Sequence, residues 1–487
     1  MRTIANVKEL QERYDLVVVG AGPAGLAAAA MAAELGLLVL LADENANPGG
    51  QIYRSVTTTP VKNRDILGED YWKGIEIVKR FETSMADYAP VTTVWNIDRG
   101  GSGAETADLQ AGISIAGQSR LIATSHTIIA TGALERPFPV PGWTLPGVMT
   151  AGAAQIALKS SGLVPEGRVI IAGCGPLFLL LGAQLKAAGA NIVAMLDTAP
   201  RENWLQAALA LPDFLASGLL MKGMRLLAAT RSGTRRFSSV NGLAAEGEGN
   251  LQRVIVRHGG RSETIGCDIL LLHHGVIPNV NMPGALGCAL DWNADQHCFS
   301  TRVDDWFLSS VEGIYIAGDG AGIGGADAAV PRGKLAALEV ARRIGNISEA
   351  ERDAIGAPVR LKLATAMRGR RFIDLLYRPA SEFLAPVEAE TIICRCEEVT
   401  AGEVRRAVRD LGVQGPNQMK AFLRCGMGPC QGRLCGPTVT ELIAAERGVT
   451  PDEAGYYRLR PPVKPITVAE IASLPQTGAA AKAVVRY

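Results

Sequence analysis

YDLVVVGAGPAGLAAAAMAAELGLLVLLAD, residues 14–43, is the stretch from which the fold can be read. It opens on an unbroken apolar run that stops at Gly20, the pattern of a parallel strand buried on both faces. Gly20-Ala21-Gly22-Pro23-Ala24-Gly25 follows, then an alanine-rich helical segment, then a second apolar run ending at Asp43. Each glycine has its own task in such a unit. Gly20 permits the tight turn, Gly22 lets the backbone approach a pyrophosphate, and Gly25 lets the helix lie close on the strand. The pyrophosphate would rest on the positive end of that helix. Asp43, with Glu44 beside it, stands where a carboxylate accepts from ribose hydroxyls. Strand, glycine turn, helix, second strand and acid together predict a dinucleotide-binding βαβ unit, against the plainer reading of a glycine-rich turn.

Farther along, Pro48-Gly-Gly50-Gln51-Ile-Tyr-Arg54 resembles the loop after the second strand in flavin reductases of the thioredoxin-reductase type, where that backbone approaches the flavin. Gly313-Ile-Tyr-Ile-Ala-Gly318-Asp319 resembles the second FAD motif of the two-dinucleotide-binding-domain flavoproteins. A carboxylate at a strand end can bond a ribitol hydroxyl, and the helix after it can aim N–H groups at the isoalloxazine. The plainer role for Asp319 is a turn or N-cap residue. His126-Thr-Ile-Ile-Ala-Thr131-Gly132 is another strand end of this kind, a crossover between nucleotide domains. The proline-rich run 133–149 cannot be helix or interior strand. Arg136 within it is read as a surface or hinge charge, with an anion contact as the alternative.

A second strand–turn–helix unit begins at Gly167, with Gly173-Cys174-Gly175-Pro-Leu-Phe178 as its turn and Asp197 closing its second strand. Phe178 stands at the third-glycine position, where bulk disturbs the phosphate cradle. Residues 163–285 are therefore expected to form an NAD(P)-type domain with a degenerate site, and NAD(P) is not expected as a cofactor. The chain has no C-x-x-C, so dithiol chemistry has no residues to run on, and Cys174 reads as a small buried hydrophobe. His273 and His274, lacking a third ligand, read as structural.

Residues 391–436 hold five of the nine cysteines. Cys394 and Cys396 form a C-x-C pair, and soft thiolates in two close groups suit an iron–sulfur cluster or a tetrahedral zinc. Between them Val404, Ala407, Val408 and Leu411 mark one stripe of a short helix. Cys425, Cys430 and Cys435 give C-x4-C twice, and spacing alone does not choose between them. The segment resembles the [2Fe-2S] domain of the bacterioferritin-associated ferredoxin type. In related anaerobic glycerol-3-phosphate dehydrogenase subunits the GMGPCQGxxC run keeps the later two cysteines and lacks the earlier one. That resemblance implies Cys394, Cys396, Cys430 and Cys435 as ligands, with Cys425 spare. A zinc knuckle, or buried thiols without metal, is the competing reading.

The chain's 487 residues allow two or three domains, and 48% hydrophobic composition suffices for their cores. A formal charge of +1 with mixed signs argues against a nucleic-acid groove. The N-terminal residues are polar and charged, unlike a signal peptide. The longest apolar stretches run to about 15 residues, too short to span a bilayer. Scattered unpaired cysteines (Cys174, Cys267, Cys288, Cys298) suit a reducing cytoplasm. The expected division is an α/β FAD-binding domain (1–162 and 286–375), the inserted NAD(P)-like domain (163–285), a linker (376–390), an α-rich [2Fe-2S] domain (391–447) and an extended tail (448–487). Arg368, Arg370 and Arg371 read as a solvated helix face, with partner docking as the alternative. The proline-rich run from Arg458 suits wrapping over another surface.

Taken in succession, GAGPAG, PGGQIYR, ATGALERPFPVPGWTLPGVMTAGAAQ, GCGPL, GDGAGIGGADAA, CRCEEVT and GMGPCQGRLCG are similar to the α (A) subunits of bacterial opine oxidases. They are also similar to the α subunits of dye-linked proline and D-hydroxyproline dehydrogenases and to the B subunit of hydrogen cyanide synthase. The resemblance implies a β partner with its own FAD that oxidises a secondary amine to an imine. It also implies an FMN near the α/β contact and, in some members, a small ferredoxin-like γ subunit, and it allows a peripheral place at the inner membrane through the complex. Flavin takes electrons in pairs and a [2Fe-2S] cluster accepts one, so a chain with both suits electron transfer. No acid–base set for a substrate is found, so no catalytic residue is assigned. The alternatives are a stand-alone NAD(P)H-dependent ferredoxin or dye reductase, and a scaffold without chemistry.

Overall fold

The computed structural model describes residues 1–99, 109–231 and 233–475. Arg13–Val19 lies parallel between Val39–Ala42 and Gln118–Ile129, and Leu16, Val17 and Val18 are wholly buried. An apolar run with no polar alternation has no solvent face to offer, which is why it takes the centre of the sheet. Asp87–Ala89 and Arg2–Thr3 extend the sheet on the Val39–Ala42 side. Gln118–Ile129 serves two further partners on its other edge. Its C-terminal end pairs in parallel with Ile314–Ile316, and its N-terminal end pairs antiparallel with Leu109–Ile115, which in turn pairs with Thr92–Arg99. The strand that carries Asp319 is thereby returned to the first glycine turn after an excursion of the chain through a second domain.

Helices Pro23–Glu34 and Ala326–Ile344 pack face to face. A Cβ on Gly333 would sit 2.1 Å from the Ala24 carbonyl oxygen, so the two backbones approach as only a glycine allows. The second sheet is parallel, in the order Arg235–Phe237, Asn191–Asp197, Arg168–Cys174, Ile269–His274, Val148–Thr150. An antiparallel sheet of Val240–Glu246, Arg253–His258 and Arg261–Gly266 covers it. Phe138, Val140 and Trp143 of the proline-rich run pack into this domain's core, and Phe383 joins them.

The third unit is a small helical module with its own core. Helix Ala401–Leu411 starts at a capping box between Thr400 and Glu403 and stops at Gly412 with φ 65°. Val404, Ala407 and Val408 are buried as the stripe predicts, but Leu411 is 56% exposed. It is the last residue before the glycine turn, where the helix has already left the core. Helices Pro416–Leu423 and Gly436–Arg447 complete the module, and Tyr457 and Leu459 fill its core. Beyond them the chain crosses back to the flavin-type domain. The Val463 amide donates to the Trp95 carbonyl at 3.0 Å, Lys464 pairs with Glu44 at 2.7 Å, and the Ser119 amide donates to Ser473 Oγ at 2.8 Å. The surface over which the proline-rich run wraps is this chain's own.

No single helix among the described residues is long and apolar enough to cross a membrane; one bent pair, Asn203–Leu215 with Leu219–Arg231, passes that test jointly by length and composition.

Candidate functional site

The first glycine turn is shaped by close backbone contacts. Gly20 has φ +104°, and a Cβ there would meet the Ala130 carbonyl oxygen at 2.7 Å; a Cβ on Gly25 would meet the Gly20 oxygen at 1.8 Å. Pro23 occupies the first turn of the helix that follows, where its missing N–H costs nothing. Gly50 folds over the turn, and a Cβ on it would come within 2.8 Å of the Gly22 Cα. Gly318 arrives from the far end of the chain so closely that a Cβ would stand 2.9 Å from that of Ala24. Thr131 lies beside Gly20, and Gly132, with φ +65°, faces open space. Gly20, Gly22, Pro23, Ala24, Gly25, Gly50, Thr131, Gly132 and Gly318, far apart in the sequence, thus line one place.

Two carboxylates flank it. Asp43 accepts from the Ala21 amide on one oxygen, and from the Asn45 amide and Nδ2 on the other at 2.7 Å each. A carboxylate offers about four acceptor positions, so one remains for a ribose hydroxyl. Glu44, alongside, is engaged by Lys464. Asp319 Oδ1 accepts from the Gly324 and Gly325 amides at 2.9 Å each, which fixes the loop that starts helix Ala326–Ile344 and leaves Oδ2 to the groove. Arg332, buried below, donates to the carbonyls of Gly318 and Gly322 and holds the same loop from behind. Arg54 bonds Asn45 Oδ1 and, at 2.9 Å, Gln51 Oε1. The buried Tyr88 hydroxyl and Arg54 Nε have no partner. A turn that excludes side chains, a helix N-terminus, a spare acceptor on each acid and orphaned polar atoms fit a bound dinucleotide.

Lys159 escaped the sequence reading. It is 3% exposed, and its Nζ donates to the carbonyl of Ile52 at 2.9 Å and to Gln155 Oε1 at 3.0 Å. Burial, with Arg54 nearby, lowers its pKa to about 7. It pins the Gly50–Arg54 loop from behind, and no local pattern announces it.

In the helical module the five thiols form a chain of contacts. Cys394 meets Cys425 and Cys435, and Cys430 meets Cys435 and Cys396. Cys394, Cys425 and Cys435 are buried, Cys430 is half-buried and Cys396 is exposed. A Cβ on Gly428 would stand 2.3 Å from that of Cys396, so the loop needs glycine to bring the two cysteine groups together. Among the described residues no three His, Cys, Asp or Glu side chains close on one point as around a single ion. A [2Fe-2S] cluster is held by four thiolates, and the module brings five sulfurs into one run of contacts. Cys425 lies at the end of the chain of contacts, behind Cys394.

Comparison with known proteins places these sites. Residues 14–353 match the pyridine nucleotide-disulphide oxidoreductase family, and residues 392–445 match the BFD-like [2Fe-2S] binding domain. The A subunit of opine oxidase from Rhizobium meliloti is 45% identical over 484 residues, which cover 99% of this chain and 92% of that protein. The chain belongs to the opine oxidase A-subunit family. Hydrogen cyanide synthase subunit HcnB of Pseudomonas aeruginosa is 31% identical, with 92% of this chain and 96% of that protein covered. The crystal structure of L-proline dehydrogenase from P. horikoshii shares the fold, with a TM-score of 0.71 at 18% identity over 96% of this chain and 80% of that one. The two family domains imply FAD and a [2Fe-2S] cluster, and the chain is an oxidoreductase-family subunit.

In this opine oxidase A-subunit relative the second glycine turn has a different neighbourhood. Gly173 is pressed against the His273 carbonyl, and the His273 ring faces Gly175 while its Nδ1 bonds Glu135 at 2.6 Å. The cleft at the strand ends is crossed by the chain's own residues 370–378. Cys174 Sγ contacts the Tyr377 carbonyl at 3.5 Å, and Asn203 Nδ2 donates to the carbonyls of Leu376 and Arg378 at 3.0 and 2.9 Å. Phe372 stacks on Phe214 at 4.2 Å. Burial raises the pKa of Asp197. Cys174 is a buried thiol pushed up to about 12, first by burial and then by Asp197.

The expected character of Arg136 is corrected. It is 6% exposed, and its guanidinium donates to the carbonyls of His274, Gln296 and His297 at 3.2, 2.8 and 2.8 Å. Three carbonyls from two segments converge on it, and a guanidinium with five donors can serve them all. Arg370 and Arg371 pair with Asp374 and Asp295 in holding their segment in place.

Proposed function

We propose that the chain is the electron-transfer subunit of a heteromeric amine-oxidising flavoenzyme of the opine, proline or hydroxyproline type. Its partner's flavin oxidises the amine, and this chain carries the electrons on to an acceptor. The observation that carries the reading is the meeting of the Gly20–Gly25 turn and the Asp319 loop in one groove, on a chain that also gathers five thiols in one module. FAD would lie with its pyrophosphate at Gly20, Gly22, Pro23, Ala24 and Gly25, its adenosine ribose at Asp43 and Glu44, and its ribityl chain at Gly318 and Asp319. Gly50, Gln51, Arg54, Thr131 and Gly132 would complete the cradle. Cys394, Cys396, Cys430 and Cys435 would hold the cluster. When bound, these groups change electron pairs into single electrons.

The protein's part is to bind and exclude. The helix N-terminus at Gly325 and the fixed Asp319 hold a polar ligand without reorganising. Lys159 keeps the Gly50–Arg54 loop closed over the turn. The relatives' names, each that of one subunit among several, support a partner; an FMN at the contact and a γ subunit belong to the same proposal. The family position of the chain speaks for an enzyme subunit rather than a scaffold.

The test is purification of the native complex with its partner, followed by an amine screen with an artificial one-electron acceptor. The isolated chain should be yellow-brown, contain iron and labile sulfide, and turn over no opine or imino acid. Robust amine oxidation by the chain alone would sink the proposal. The rival, a stand-alone NAD(P)H reductase, is opposed by Phe178 and by the segment 370–378 across the second cleft. Anaerobic NADH should leave the flavin band unchanged.

A further inference from the structure

Between the flavin-type groove and the thiol module stands one hairpin, Leu290–Asn293 with Cys298–Thr301. Its tip is held from three sides. Gln296 exchanges two hydrogen bonds with Ile323, four residues past Asp319, its Nε2 donating to the carbonyl at 2.8 Å and its Oε1 accepting from the amide at 3.0 Å. Arg136, buried, grips the carbonyls of Gln296 and His297. His297, with φ 51° in the left-handed region that His adopts more readily than most side chains, bonds Glu441 Oε1 through Nε2 at 2.7 Å. Glu441 lies on helix Gly436–Arg447, whose N-cap is Cys435.

A line of aromatic rings runs the same way. Trp292 meets Phe299 at 5.0 Å, Phe299 meets Tyr456 at 5.5 Å, and Tyr456 meets Tyr457 at 5.9 Å between centroids. Tyr457 is clamped between Gly426 and Gly432, where a Cβ would come within 2.7 Å of its ring. Its hydroxyl lies 3.9 Å from Cys435 Sγ. A buried guanidinium on the hairpin tip, a histidine reaching from it to the helix behind Cys435 and two glycines against one ring are features that packing alone does not require together.

We propose that this hairpin is the electron route between the two redox sites: Gln296 and His297 set the cluster module against the Asp319 loop, and Tyr457 delivers to the thiolate of Cys435. The inference rests on the proposed function, because it needs FAD at Asp319 and a cluster at the thiols. Each transfer moves one electron from reduced flavin to an oxidised cluster, which becomes singly reduced. A one-electron acceptor dye reoxidises the cluster before the second transfer, and the flavin's protons go to water. His297 and Gln296 are positioning residues, since they act through distance. Tyr457 acts on the cluster potential, because hydrogen bonds to a cluster sulfur set it.

The test uses the full chain in complex with its partner, loaded with flavin and iron. A flash of deazaflavin photoreductant delivers single electrons to the flavin, and the cluster absorbance reports their arrival. His297→Phe should slow arrival, because a loosened tip lengthens the gap that the electron crosses, with flavin, iron and cluster potential unchanged. His297→Gln, which keeps a donor toward Glu441, should recover much of the rate. Tyr457→Phe should move the cluster's midpoint potential to more negative values and alter its electron paramagnetic resonance signal. A wild-type rate in His297→Phe overturns the route, and an unmoved potential in Tyr457→Phe overturns Cys435 as the point of arrival. If His297→Phe does not fold, the Gln variant and Tyr457→Phe still decide. A wild-type complex lacking flavin or cluster would defeat the proposed function instead, which these readouts keep separate.

Discussion

At Lys159 burial and charge oppose each other, and the balance is measurable. Its folded pKa of about 7 lies below the usual 10.5. Between those values the unfolded chain carries one more proton than the folded one, so stability rises with pH across that window, by about 1.4 kcal/mol per unit from this group. Below about 7 both states are protonated and the contribution is flat. Urea midpoints of the cofactor-free chain from pH 6 to 10 should therefore climb above 7, and Lys159→Met should lose that part of the slope. Parallel profiles would mean the lysine stays charged in the fold. The cysteines give a second prediction at the same scale. Cys396→Ser should lose the cluster's visible absorbance, while Cys425→Ser should keep it with full iron content; retained iron in the first and lost iron in the second would exchange their roles. The glycines of the first turn were legible in the sequence because each answers a local steric demand, as Gly25 does against the Gly20 carbonyl. Lys159 was not, since the carbonyl it serves at Ile52 is 107 residues away.

Among the elements, residues 370–378 contribute most that the sequence concealed. The arginines around them read as a solvated face, yet Phe372 and Leu375 are buried in a core with Ala207 of the second domain. A helix of seven residues, Arg370–Leu376, has too few turns to display a periodicity that separates its buried side from its charged one. It lies over the second cleft beside the turn with Phe178 and Asp197, where the chain's own carbonyls take the Asn203 donor and contact the Cys174 thiol. Phe372→Ala should cost about 3–5 kcal/mol by removing a buried aromatic ring. It should also open Cys174, which in the wild-type protein should resist maleimide at pH 8 because burial keeps it a thiol. Mass spectrometry after a short exposure would read both states. Equal labelling of Cys174 with and without Phe372 would mean that the segment does not close the cleft.

For the whole molecule the question is what keeps two redox modules at a fixed separation. The ties that do so come from different parts of the chain: Trp143 Nε1 to the Ile392 carbonyl at 2.7 Å, Asn281 Nδ2 to the Gln431 carbonyl at 2.9 Å, His297 to Glu441, and the return of the tail to the flavin-type domain. The domain order followed from motifs that are each local, whereas these ties join residues hundreds of positions apart and leave no periodic trace. The tail's anchor is Val463, 4% exposed in the core built around Tyr14 and Ile113. Its amide is used by Trp95, and Lys464 follows it into the pair with Glu44. A carboxylate at that position would have to be buried unpaired, which costs several kcal/mol or forces the segment out. Val463→Asp should therefore free the tail, releasing Glu44 from Lys464 at the rim of the first groove while leaving the thiols in place. In the loaded wild-type protein, flavin fluorescence and cluster absorbance should report one coincident urea transition, as cooperative unfolding requires. In Val463→Asp the two probes should separate, the cluster signal being lost at lower urea because its module has then lost the brace of the tail. Coincident transitions in the variant would show that the remaining ties suffice, and that the tail covers the flavin-type domain without bracing the module.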